Sequence, residues 1–372
     1  MRPVVSVQKC ASYDKELLYK AVKSSVEPLG TLGAFFKKGD RVLLKPNILS
    51  SRPPEEGVNT HPEFIRAVAR LVREHGGVPV IGDAPGGTVR DIETVYVKSG
   101  IKKIADEENI EMVKFEKSTM VGNIPIADEI KKADCVINLP KAKTHNLTII
   151  TGAIKNMFGA VPGLTKLEYH LNASNPVDFA KILIQIFESA RPELSIMDGI
   201  ISMEGEGPAA GQLRNSGFII ASDDAVALDS VFCGIIGVEP FDVEMIKFAH
   251  EKGLGCGILS MIEVKGEKIE NVAQKSFKLP KSSILRKIPS HALRPITKRL
   301  KIWTKINYKK CIKCMLCVES CPAKAIIIED KKPKIIYNKC ISCMCCMEIC
   351  PAKAISIKRS FLAAIFTMNW KF

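Results

Sequence analysis

Apolar positions over residues 1–280 of this chain recur with two periods that alternate along it. Short β-rich runs read as buried strands at Val4–Gln8, Arg41–Leu44, Val78–Ile81, Glu111–Phe115, Cys135–Asn138, Leu194–Met197 and Phe218–Ala221. Between them, helical spacing predicts helices over Asp14–Leu29, Pro62–His75, Asp91–Glu107, Ala127–Lys132, Ile149–Phe158, Pro176–Ala190 and Asp224–Ile236. Strands alternating with helices predict an α/β domain over residues 1–280, an open, mostly parallel sheet with helices on both faces.

Ligands of such sheets bind beyond the carboxyl ends of the strands. The residues there are polar and glycine-rich: Lys45-Pro46-Asn47, Gly82-Asp83-Ala84-Pro85-Gly86-Gly87, Pro140-Lys141-Ala142-Lys143-Thr144-His145, Asp198-Gly199 and Ser222-Asp223-Asp224. Taken singly, each is ordinary turn chemistry, and Asp223 or Asp224 reads as the cap of the next helix. Taken together, they predict cations, an imidazole and carboxylates gathered in one crevice, which is unfavourable unless something binds there. Asp83 is a candidate contact from these loops. His145, expected on a loop leaving a strand end, is the candidate proton donor, with Lys143 holding a carboxylate or phosphate. The dinucleotide fingerprint, the phosphate-binding Gly-x4-Gly-Lys-Ser/Thr loop and the nucleophile elbow are all absent from the sequence.

Past residue 305 the pattern changes. Cys-x2-Cys-x2-Cys-x3-Cys-Pro occurs twice, as Cys311, Cys314, Cys317, Cys321, Pro322 and as Cys340, Cys343, Cys346, Cys350, Pro351. Three thiolates at this spacing wrap one face of a cubane, and the fourth completes the neighbouring cluster. The spacing therefore predicts two [4Fe-4S] clusters, one on Cys311, Cys314, Cys317 and Cys350, the other on Cys340, Cys343, Cys346 and Cys321. Tetrahedral zinc does not need this tripled spacing. Segments 311–326 and 340–355 agree at 12 of 16 positions, so the module is an internal duplication. Cys345 is a ninth cysteine, read as a small buried filler. The stretch resembles a bacterial-type two-cluster ferredoxin, which implies a small α+β domain over 305–358 that passes single electrons at low potential between partner proteins.

The α/β region carries a second resemblance. Lys45-Pro46-Asn47, Lys143-Thr144-His145 and Thr151-Gly152-Ala153-Ile154-Lys155-Asn156-Met157-Phe158-Gly159 are similar to the signature segments of the domain-of-unknown-function family numbered 362. That family often carries a ferredoxin module. The resemblance covers roughly residues 1–240 and assigns no general activity. Its motifs nominate Lys45, Asn47, Lys143, His145, Lys155 and Asn156, with His170 a looser candidate.

Composition limits the partners. The net charge of +14 would suit nucleic acid if spread over a face. Ten Lys or Arg and no acid fall within residues 281–310, so one segment supplies most of the excess. Aromatic residues are 6% and show no stacking motif, so no nucleic acid is expected. Residues 281–304 read as a basic linker, either a solvated connector or a docking surface for an acidic redox partner of the ferredoxin or flavodoxin type, or for an anionic membrane. The apolar tail, 359–372, is far shorter than the ~20 residues a membrane span needs. Met1–Gln8 lacks a secretory pattern, and four scattered cysteines fit a reducing cytosol. A cytoplasmic protein with at most peripheral membrane contact is expected.

The leading functional expectation is an iron–sulfur redox enzyme, a ferredoxin-coupled oxidoreductase passing electrons to a small anionic or cofactor-like substrate in the crevice. Lys45, Asn47, Asp83, Lys155 and Asn156 would bind it. The alternatives are a ferredoxin-type carrier or scaffold without its own catalytic site, or an iron–sulfur sensor.

Overall fold

A computed structural model describes residues 2–86, 91–173, 175–281 and 302–359. Its main sheet has ten strands: β1 Val4–Lys9, β2 Arg41–Pro46, β3 Val78–Asp83, β4 Glu111–Lys114, β7 Cys135–Leu139, β8 Lys141–His145, β9 Ile149–Ile150, β10 Leu194–Glu204, β11 Gln212–Ser222 and β12 Glu263–Gly266. A small hairpin, β5 Ser118–Val121 and β6 Ile124–Ala127, stands apart. The order along the sheet is β12-β1-β11-β10-β7-β2-β3-β4, with β8 beside β10. All lateral pairings along it are parallel except those of β11 with β1 and β10. The sheet is thus open and mostly parallel, as its strand–helix alternation predicts.

Central strands are apolar on both sides because both faces are covered. Leu43, Val80 and Val136 enter one core with the helices Pro176–Ser189 and Ala225–Ile235. Their neighbours Val42, Leu44, Ile81 and Ile137 enter the other, with helices Lys15–Val26 and Pro62–Glu74. This is the two-residue alternation of strand side chains.

Several expectations are corrected. The helix expected over Asp91–Glu107 is two, Ile92–Lys98 and Ile101–Glu107, broken at Gly100, whose φ of +76° suits glycine. Segment 149–158 opens with β9 and contains only a short helix, Gly152–Asn156, before a 3-10 turn. Helix Thr165–Asn172 had no counterpart in the reading of the sequence. Residues 141–145 are strand β8 rather than a loop, and Asp198-Gly199 lies inside the eleven-residue β10. Because β11 runs antiparallel, its end at Ser222 lies on the opposite edge from the ends of β2, β3 and β7. Asp224 there accepts the N–H groups of Val226 and Ala227, which makes it the helix cap.

The C-terminal module pairs β13 Ile302–Ile306 with β16 Ile355–Arg359, and β14 Ile326–Glu329 with β15 Lys332–Ile335. Each half carries one short helix, Leu316–Glu319 and Cys345–Ile349. The duplication is visible in the backbone. Lys313 and Ser342, Met315 and Met344, Lys324 and Lys353 all have positive φ at matching positions. Most of the basic linker expected at 281–304 and nearly all of the apolar tail at 359–372 lie outside the described residues.

The module is fastened to the α/β domain by the loop after β2. Arg52, 3% exposed, donates to the carbonyl oxygens of Cys350 and Pro351 and pairs with Glu56, which also meets Lys353 at 3.0 Å.

Candidate functional site

Parallel neighbours bring their carboxyl ends to one edge, which assembles Lys45 from β2 and Asn47 just after it, Asp83 from β3 and Asn138 from β7. The Lys45 ammonium lies 2.8 Å from Asp83 and donates to the Asn156 carbonyl at 2.6 Å. Asp83 also accepts the Ile48 N–H at 2.9 Å. Asn47 donates to the Asn156 side chain, which donates to Asn138. Burial pushes the Lys45 ammonium down, and Asp83 opposes the shift. A Cβ at Gly159 would stand 2.1 Å from the Asp83 carboxylate, so the glycine is required for the pair to close.

The helix carrying Lys155 and Asn156 has a similar requirement at its start. Asp229 accepts the N–H groups of Ala153 and Ile154 at 2.6 and 3.0 Å. Gly152, at φ +64°, leaves room for that carboxylate, which a Cβ would meet at 2.5 Å. Burial pushes the Asp229 carboxyl up to about 7, against those two amides.

Strand β8 sets Lys141, Lys143 and His145 on one face by its two-residue period. Lys141 is spent on structure, 2.7 Å from Asp198 and from the Tyr13 hydroxyl, which itself donates to Asp198. Lys143, 1% exposed, donates to the Val58 carbonyl at 2.6 Å. Burial drives its ammonium well down, and Lys155 adds repulsion. His145 accepts the N–H groups of Leu147 and Thr148 on Nδ1, at 3.0 and 3.3 Å, which leaves the ring proton on Nε2. That nitrogen lies 3.4 Å from the Glu348 carboxylate, which belongs to the C-terminal module.

Glu348 therefore joins two groups of residues that are far apart in sequence. It stands on the helix Cys345–Ile349, and burial pushes its carboxyl up while Lys155 and Lys143 pull it down. Beside it a cavity of about 50 Å³ is lined by Lys155, Lys166, His170, Phe158 and Cys345. Lys166 donates to the Ala84 and Pro85 carbonyls at 2.7 and 2.8 Å, and burial brings its ammonium down to about 7. His170 is stacked on Phe179, and burial holds its imidazole neutral, with its pKa lowered to about 3.

In the C-terminal module one cavity is lined by Cys321, Cys340, Cys343 and Cys346, and another by Cys311, Cys314, Cys317 and Cys350. Each group draws one thiol from the opposite half of the duplication. Among the described residues no three His, Cys, Asp or Glu side chains are arranged to hold a single metal ion. Thiols around an open space suit a polynuclear cluster, whose ligands stand farther apart than those of one ion. Cys345 is buried, hydrogen-bonds Cys343 and faces the Lys155 cavity.

Of the residues nominated from sequence, Lys45, Asn47, Asp83 and Asn156 form one buried network, and Lys143, His145 and Lys155 gather around Glu348. Sequence reasoning passed over Glu348, Lys166 and Arg52. Glu348 matches Glu319 in the duplicated segment, so nothing local distinguished it. Lys166 follows no strand end. Arg52 could have been noticed only as a cation in a loop after β2.

Among the described residues no helix is long and apolar enough to cross a membrane. Residues 304–351 match the family described as a 4Fe-4S dicluster domain, and residues 42–234 match the domain of unknown function DUF362. The thylakoid-associated protein sll1697 of a Synechocystis strain is 36% identical over 258 residues, spanning 67% of this chain and 79% of that protein. The lactate racemase apoprotein of Thermoanaerobacterium thermosaccharolyticum aligns at 12% identity and a TM-score of 0.38, over 66% of this chain and 58% of that one, too distant to carry an argument. With its signature segments inside a match that spans more than half of it, the chain belongs to the DUF362 family, and it carries a ferredoxin-type iron–sulfur domain at its C-terminal side.

Proposed function

We propose that the protein is an iron–sulfur oxidoreductase that delivers electrons from its C-terminal module to a small anionic acceptor held against the α/β domain. One observation carries the reading: Glu348, between the ligand candidates Cys346 and Cys350, reaches the nominated His145 and the Lys143–Lys155 group. The acceptor would thus lie a few residues from the thiols. Bound [4Fe-4S] clusters supply single electrons at low potential. The two crossed thiol groups would hold two of them, a count supported by the paired cavities. His145, with its proton on Nε2, and Lys143 would supply protons as the acceptor is reduced, and an external ferredoxin or flavodoxin would replace the electrons.

The test uses anaerobically reconstituted full-length protein, reduced chemically and mixed with panels of small oxidised or unsaturated acids. Reoxidation of the visible cluster bands should be accelerated by some member and lost in His145→Ala and Lys143→Ala with iron content unchanged. Reoxidation at the parental rate in both variants would move the carrier reading ahead, since the crevice would then be structural.

A further inference from the structure

We propose that the cavity between the two domains, bounded by Lys155, Lys166, His170 and Phe158 on one side and by Cys345 and Glu348 on the other, is a binding site for a short monocarboxylate of two or three carbons. The proposal deepens the preceding reading and rests on it only for the claim that the bound molecule is the electron acceptor.

Charge is the first argument. Lys45 and Lys141 each have a buried carboxylate of their own, Asp83 and Asp198. Of the remaining lysines, Lys143 and Lys155 face Glu348, while Lys166 feels chiefly Asp83, already paired with Lys45. Buried charges are ordinarily compensated, and none of these three has a carboxylate at ion-pair distance among the described residues. Lys143 and Lys166 donate to carbonyl oxygens, and burial lowers the pKa of both ammoniums, a shift that a bound anion would oppose. Lys155 has no hydrogen-bond or ion-pair partner among the described residues, and its ammonium stands 5.6 Å over the Phe158 ring.

A second, independent observation is His170. Its side chain is 94% buried, lines the cavity, and its Nδ1 has no hydrogen-bond partner. A buried polar nitrogen without a partner is unfavourable by roughly 1–3 kcal/mol. A ligand oxygen, presented beside the Lys155 ammonium, would relieve it. The imidazole is fixed in place by its stack on Phe179 at 4.5 Å and its edge contact with Phe158 at 5.7 Å.

Size and lining decide the class. A cavity of about 50 Å³ has room for a few water-sized groups, since one water needs roughly 10–15 Å³. The remainder of the wall is apolar, from Leu49, Phe158, Leu167 and Ile349. A carboxylate at the lysines with a one- or two-carbon tail against these side chains satisfies both ends, whereas a fully hydrated oxyanion would leave the apolar wall unused.

The test uses full-length reconstituted protein and [1-13C]propionate, followed by 13C relaxation before and after the clusters are reduced to their paramagnetic state. A site beside Cys345 should give saturable relaxation enhancement that appears on reduction. Lys155→Met should weaken binding at least ~10-fold, as expected for a lost charge-assisted bond, and Lys166→Met should also weaken it. The surface control Lys252→Met should bind as the parent does. If Lys155→Met fails to fold, Lys155→Arg, which keeps the charge, should fold and bind. Propionamide bound as tightly as propionate, inorganic phosphate displacing it at equal concentration, or relaxation untouched by both lysine substitutions would each overturn the proposal. Propionate binding without any acid-dependent reoxidation would keep the site and remove the electron-delivery reading; acid-dependent reoxidation without propionate binding would do the reverse.

Discussion

The Glu348 carboxylate stands 3.4 Å from Nε2 of His145, though 203 residues separate them and they belong to different domains. The contact puts a titratable group from the iron–sulfur module in the wall of the α/β crevice. The helix Cys345–Ile349 thus carries both Glu348 and the ligand candidate Cys346.

Crossed ligation predicts an asymmetric response to single thiol losses. Parental protein should hold about eight iron and eight sulfide. Cys321→Ser should damage the cluster whose other thiols are Cys340, Cys343 and Cys346, with which it shares a cavity. Cys345→Ala should leave iron content unchanged. Iron, sulfide and electron paramagnetic resonance of the reduced state separate the cases, and damage confined to the Cys311 group would refute the crossing.

Arg52 is expected to hold the module in place. Arg52→Met orphans two carbonyl acceptors and leaves Glu56 with Lys353 alone, which should lower stability by about 2–4 kcal/mol. Arg52→Lys should not restore it, because an ammonium lacks the planar fork that spans two acceptors. Urea midpoints at constant iron content measure this.

The Lys45–Asp83 pair separates architecture from ligand binding. Lys45→Met leaves a buried carboxylate uncompensated, a change that costs ~3–5 kcal/mol. Lys45→Met combined with Asp83→Leu should regain part of the loss. If Lys45→Met instead keeps the parental urea midpoint but abolishes turnover, Lys45 serves a ligand.

The Lys166 ammonium sets a pH dependence. Its pKa is lowered to about 7 by burial, so its charge, and the affinity for a carboxylate, should fall as pH rises through 7. Binding near that pH should take up protons, measurable by calorimetry in buffers of different ionisation enthalpy. The unfolded lysine stays protonated to about 10.4, so between pH 7 and 10 the unfolded chain binds more protons and this group's contribution to stability rises with pH. Lys166→Met should remove both effects.

The basic run within 281–310 predicts a salt-sensitive partner. Electron transfer from an acidic ferredoxin or flavodoxin should slow steeply as salt rises, since exposed charges are screened within ~10 Å at 0.1 M. Neutralising Lys298, Arg299 and Lys301 should flatten the dependence in stopped-flow traces, and a rate indifferent to both would leave the run a solvated connector.

By itself the sequence determined what depends on local spacing. The thiol runs and the strand–helix alternation follow from residues within one turn or one strand of each other, and the duplication from comparing two segments of the chain directly. The gathering of Lys45 and Asp83 was legible too, because parallel neighbours necessarily share a carboxyl edge. Only the tertiary structure decided what depends on strand direction and on packing between domains. It made 141–145 a strand, so that Lys143 and His145 share a face and lie buried. It ran β11 antiparallel and so sent Asp224 to the other edge as a cap. It set Glu348 against His145, and Lys155 beside Lys166 and His170, contacts between residues whose own neighbours in sequence gave no reason to pair them.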